Sequence, residues 1–223
     1  IPEKRAPAVR TPFFQSLVYG FRPSVARELP ELYLSLCAMC VFSVAVQVFF
    51  PYLIIYMQHY LRMENYAMVL GAVLLVASLV SVLFGKTIDR AGKLRFTLIA
   101  AGVMLAGLVG MYFVRDALGV ILSGSVMMSG YMLVTASLSA EIRDHTPEAQ
   151  AGHFQGIRMI FAVMLPMLIG PFIGAAVIRG NAQTYTELGA VKTVPTPAIF
   201  LAAGVTLLFV LAPVLLLKRR EGK

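Results

Sequence analysis

Six times along the 223-residue chain, a run of about twenty or more mostly apolar residues ends in a short polar stretch. This feature decides the solvent before any other question arises. A helix rises 1.5 Å per residue, so about 20 residues cross a hydrocarbon core of about 30 Å. The runs cover 32–59, 66–84, 96–114, 118–140, 159–178 and 198–217. Backbone groups in lipid must pair within their own segment, so each run is expected to be a helix. Pro51, Pro166, Pro171 and Pro213 fall inside runs, where neighbouring helices can absorb the kinks they cause. The charged fraction agrees: 13%, against about 25% in a soluble domain. The expected fold is an all-α membrane protein with residues 31–223 as a six-helix transmembrane domain. Residues 1–30, broken by five prolines, are expected to be a linker.

A net charge of +8 raises the question of nucleic acid. The basic residues argue against it, because they sit between the apolar runs and at the chain ends, not in one patch. Their placement reads as topology instead. Of the 19 Lys and Arg residues, fifteen fall on one side of a six-span arrangement. The other side holds Arg62, Arg115, Arg179 and Lys192. Basic loops stay cytoplasmic, so both termini are expected inside. Phe13, Phe14, Leu17, Val18 and Phe21 recur at helical spacing beside Arg10 and Arg22. That pattern suits a helix lying on the inner membrane surface, and equally a loosely ordered linker with scattered aromatics. The chain starts at Ile1 without a Met and without a cleavable leader, which suggests a fragment or a processed product. Cys37 and Cys40 have redox-motif spacing but no second pair or nearby His, so they read as two buried cysteines one helical turn apart.

The most informative loop joins the second and third runs: Gly85-Lys-Thr-Ile-Asp89-Arg90-Ala-Gly92-Lys93-Leu-Arg95. Gly85 lets another helix approach where the chain leaves the membrane. Asp89 stands at a helix end, where it can accept bonds from a facing helix N-terminus or an Arg. Gly92 permits a turn with positive φ. Arg90, Lys93 and Arg95 hold the loop at an anionic leaflet. The stretch resembles motif A of the major facilitator superfamily, Gly-x-x-x-Asp-Arg-x-Gly-Arg-Arg, at the same place in a six-helix half. The last basic position of that pattern is Leu94 here, with Arg95 following. Between runs four and five, Glu141, Arg143, Asp144, Pro147, Glu148, Gly152, Gly156 and Arg158 resemble the corresponding loop of such a half. Their charges, with Arg90 and Lys93, could form an inner network that breaks and reforms. Gly170-Pro171-x-x-Gly174 in the fifth run is similar to the antiporter motif of the superfamily, without its upstream glycines. It reads as a bendable gating helix.

Whole transporters of this superfamily have two six-helix halves. The resemblance therefore implies that the partners of this chain are the lipid bilayer, the other half and a small solute. It also implies a bacterial plasma (inner) membrane. The Pro-rich basic start resembles the central loop leading into the seventh helix, which favours the carboxy-terminal half. The texture around residues 152–158 is similar to glycoside-pentoside-hexuronide cation symporters, whose cation-site acids lie on the other half. No ionisable residue falls in the middle of a run, which fits that division. The first and fourth helices are expected to line the cavity, through Gln47, Tyr52, Tyr131 and Thr135. Uncharged polar groups beside aromatic rings suit a neutral, hydroxyl-rich solute such as a sugar. Alternatives are half of a drug or metabolite efflux transporter, or a six-helix module that dimerises. No enzyme, cofactor or metal is expected. His145 and His153 with Glu141 or Asp144 lack ligand spacing and a nucleophile.

Overall fold

A computed structural model describes residues 27–85, 92–147, 151–187 and 189–221. Among them, six helices are long and apolar enough to span a membrane. In chain order they are α1 (Pro30–Tyr60), α2 (Tyr66–Gly85), α3 (Lys93–Phe113), α4 (Ala117–Asp144), α5 (Phe154–Ile178) and α6 (Ala198–Arg220). An antiparallel hairpin, β1 (Thr184–Glu187) and β2 (Ala190–Thr193), stands between α5 and α6. The helices alternate in direction. One end of the bundle therefore gathers Lys93, Arg95, Arg143, Arg158 and the tail of α6, and is called the basic end. The other is the hairpin end.

α1 runs through the centre and touches α4, α5 and α6, while α3 packs on α4 and α6. These contacts close α1, α4, α3 and α6 into a ring, with α2 added on α4 and α5 on α1. Water cannot drive association in lipid, so close packing has to. α3 and α4 meet at backbone distance: a Cβ on Gly107 would run into Met127, and one on Gly130 into Met104. Beside this, the Thr97 and Ser137 hydroxyls lie 2.8 Å apart and both donate to the Lys93 carbonyl. The outward faces of α2 (Leu75, Leu79, Val82, Leu83) and α5 (Met167, Leu168, Phe172) are exposed and apolar, as hydrocarbon requires.

The prolines leave their marks. Pro51 sits in a 3₁₀ turn at Phe50–Tyr52, and α1 ends in a π-turn at Tyr56–Tyr60. Proline has no N–H and crowds the carbonyl four residues back. In α6 the Phe209 carbonyl, which Pro213 cannot reach, takes the Ala212 N–H instead at 3.3 Å. The helix accordingly divides into Ala198–Leu208 and Leu211–Glu221. In α5, a π-turn at Ile160–Met164 comes just before Pro166.

Three readings change. α4 continues to Asp144, so Glu141 and Arg143 are helical and not part of a loop. α5 begins before residue 159, because Phe154 and Ile157 extend its buried stripe, and this brings Arg158 inside the apolar segment. Cys37 is exposed and Cys40 only half-buried, so neither is a buried cysteine; a thiol is apolar enough to face lipid. Residues 1–26 of the linker, with the interfacial stretch at 13–21, lie outside the described residues, as do Asp89, Arg90 and Glu148.

Candidate functional site

A cavity of about 390 Å³ lies on the flank of α1, between α4 and α5. α1 contributes Ser43 and Gln47, α4 contributes Tyr131, Thr135 and Ser139, and α5 contributes Gln155 and Arg158. Local packing holds these groups in place. The Tyr131 ring stacks on buried Phe42, with centroids 5.9 Å apart and planes at 16°. Thr135 donates its hydroxyl proton to the Tyr131 carbonyl at 2.8 Å, a bond internal to α4. Gln47 is placed by Gly170: a Cβ there would overlap the Gln47 Cβ, so only glycine lets α5 lie this close to α1. Among the described residues, the Gln47 amide and the Tyr131 hydroxyl make no hydrogen bond within the protein and are open to a ligand.

Of the four residues read as solute contacts, Gln47, Tyr131 and Thr135 come together here, and Tyr52 does not. Tyr52 lies one turn or more toward the hairpin end, and its hydroxyl donates to the Pro171 carbonyl at 2.9 Å. That bond ties α1 to the proline of α5. Sequence reasoning missed Ser139 and Gln155, and it assigned Arg158 to the inner charge network. Their signal was their spacing: Ser139 lies four and eight residues from Thr135 and Tyr131, on the same face of α4.

The inner charge network is rearranged. Lys93 pairs with Asp144, joining the start of α3 to the end of α4. The pair is partly exposed, so it contributes about 0–1 kcal/mol. Glu141, buried at 3% exposure, faces its neighbour His145, whose Nδ1 lies 3.3 Å from the carboxylate. His145 Nε2 reaches Glu31 at the start of α1, 3.4 Å away. The imidazole thus bridges α1 and α4, and these contacts are ionic when it is protonated. Neither Glu31 nor His145 had been assigned to this network. Arg143 is exposed, and Arg158 donates to Ser139 rather than to an acid, at 2.9 Å. At the loop itself, Gly92 takes φ 83° and starts α3, a conformation that suits glycine. Gly85 ends α2, and a Cβ there would meet nothing within 4 Å. Arg95 is exposed on the first turn of α3.

A second, apolar pocket of about 150 Å³ lies between α1, α2 and α4, lined by Phe50, Ile54, Leu70, Gly124 and Met128 among others. Ile54 lies seven residues from Gln47, and Gly124 and Met128 lie seven and three from Tyr131, at helical spacing, yet the fold separates them from the polar cavity.

Six apolar spanning helices, three of which wall a polar cavity, define a multi-pass integral membrane protein with room for a solute. The family model described as Major Facilitator Superfamily matches residues 1–171. The chain belongs to this superfamily of membrane transporters. Comparison with curated proteins and with solved structures gives no match.

Proposed function

We propose that the chain is one six-helix half, the carboxy-terminal one, of a secondary active transporter. It moves a small polar solute across a bacterial plasma membrane by alternating access, with both ends of the chain cytoplasmic. The polar cavity on the flank of α1 carries this reading. Alternating access works by two repeats rocking around a shared site near their interface. A cavity walled by α1, α4 and α5 is one side of such a site, and the other half closes it. Hydroxyl and amide groups beside the Tyr131 ring support a hydroxyl-rich solute of sugar type, carried by symport with a cation bound on the other half. The loop residues Gly85, Asp89, Arg90, Gly92, Lys93 and Arg95 form the inner latch, with Glu141 and Arg143 on the facing helix. The Lys93–Asp144 pair supports that role. Gly170 and Pro171 set the contact about which α5 rocks against α1.

The apolar pocket lined by Phe50, Ile54 and Met128 favours a second reading, efflux of an apolar drug or metabolite. The experiment is uptake into liposomes of a panel of labelled sugars, with the chain alone and with a complementary six-helix half. The expected result is saturable uptake only with both halves. Saturable, competable uptake by the purified chain alone would identify a module that works as a dimer. Competition by lipophilic drugs but by no sugar would favour efflux.

A further inference from the structure

Among the described residues, Arg158 is the one charged residue on the wall of the cavity. It stands about one turn inside the start of α5, in the segment long and apolar enough to span. A guanidinium in such a place is costly unless its donors are met, and an ionisable group within a span marks a solute or ion path by default. It has five N–H donors. In the structure one of its nitrogens, Nη2, donates to the Ser139 hydroxyl at 2.9 Å. Among the described residues, no carboxylate lies within ion-pair distance of it. Lys93 and His145, at the same end of the bundle, do have acidic partners. Arg158 and Gln155 also line a smaller pocket of about 140 Å³ on the basic side, together with Arg143. Arg143 is thus a second basic residue on the far side of Arg158. The planar fork of an arginine matches the two oxygens of a carboxylate, and Ser139 and Gln155 stand beside it.

We propose that Arg158 and Ser139 form an oxyanion subsite, and that the solute is a small hydroxyl-rich molecule carrying one carboxylate. This rests on the reading of the cavity as the solute site and narrows it. A neutral sugar would leave the guanidinium without a counter-charge. A singly charged sugar acid would neutralise it while its hydroxyls reach Gln47 and Tyr131. One cation on the wall fits one negative charge.

The test uses the full-length transporter in membranes, with Cys37, Cys40 and any other cysteine replaced by alanine and Ser43→Cys as reporter. Labelling rates are measured with an anionic and a cationic methanethiosulfonate of similar size. The anionic reagent is expected to react faster, by about tenfold relative to its cationic counterpart, through focusing of the field in the cavity. Arg158→Gln should erase the preference, and Arg158→Lys, which keeps the charge, should retain it. Gluconate should slow labelling and glucitol, the same polyol without the carboxylate, should not; Arg158→Gln should abolish the protection. A ratio unaffected by Arg158→Gln overturns the subsite, as does equal protection by the two polyols or protection by neither. No reaction of Ser43→Cys with either reagent would instead sink the cavity as a solute path.

Discussion

Gly170 shows how much one hydrogen atom in place of a side chain decides. The Cβ of an alanine would overlap Gln47, including its backbone, and no flexible side chain stands there to yield. Overpacking of this kind costs about 1–3 kcal/mol. Gly170→Ala is therefore expected to lower the melting temperature of the detergent-solubilised protein clearly. Gly102→Ala, whose Cβ meets nothing within 4 Å, should leave it unchanged or raise it slightly. Equal melting of the two variants would refute the close contact. In the sequence, Gly170 and Pro171 read as a bend. Close packing of this helix was legible from its glycines, but the partner was not, because it lies more than a hundred residues away and no local pattern encodes it. The same limit hid the contacts of Arg158 and Glu31. Gly92 was legible, since a positive φ is a property of the residue and its turn alone.

At the scale of elements, the spans were legible because hydrocarbon imposes length and composition on every helix separately. Their ends were less so. α4 and α5 each run past the apolar stretch into charged residues, which the fold tolerates because Glu141 turns inward against His145 and Arg158 into the cavity. The hairpin of Thr184–Glu187 and Ala190–Thr193 was passed over, although Gly189, with φ 79°, marks its turn. It is no loose connection: the Tyr185 ring packs against His59 at the end of α1, with ring centroids 4.3 Å apart and planes tilted by 36°. The α3–α4 pair offers a quantitative check. Thr97 and Ser137 are both fully buried and share the Lys93 carbonyl. A double-mutant cycle with Thr97→Val and Ser137→Ala is expected to return a coupling of about 0.6 kcal/mol, typical of hydrogen bonds between helices in membranes. A coupling indistinguishable from zero would mean that backbone packing at Gly107 and Gly130 holds the pair without them.

For the whole molecule, the distribution of charge makes a claim about sidedness. Arg95 and Arg220 are exposed at the basic end, and Gln183 is exposed beside the hairpin. With the basic end in the cytoplasm, Arg95→Cys and Arg220→Cys should react with an impermeant thiol reagent only from inside. Gln183→Cys should react only from outside. Labelling of all three from one face would overturn the six-span arrangement. The aromatic cluster at the hairpin end agrees with an interfacial position there: Tyr56 stacks on Tyr60 at 5.1 Å, and Arg115 lies 5.6 Å above the Tyr60 ring.

The π-turn at Ile160–Met164 has a mechanical consequence. Its closing bond runs from the Leu165 N–H to the Ile160 carbonyl, so α5 carries one residue more than a regular helix would spend on that turn. The turn lies between the cavity residues Gln155 and Arg158 and the Gly170 contact with α1. Were the surplus residue passed along the helix, the basic half of α5 would swivel by about 100° and advance about 1.5 Å, while the half seated on α1 stayed where it is. Arg158 and Gln155 would then rotate out of the wall together, as a key's bit turns while its bow is held.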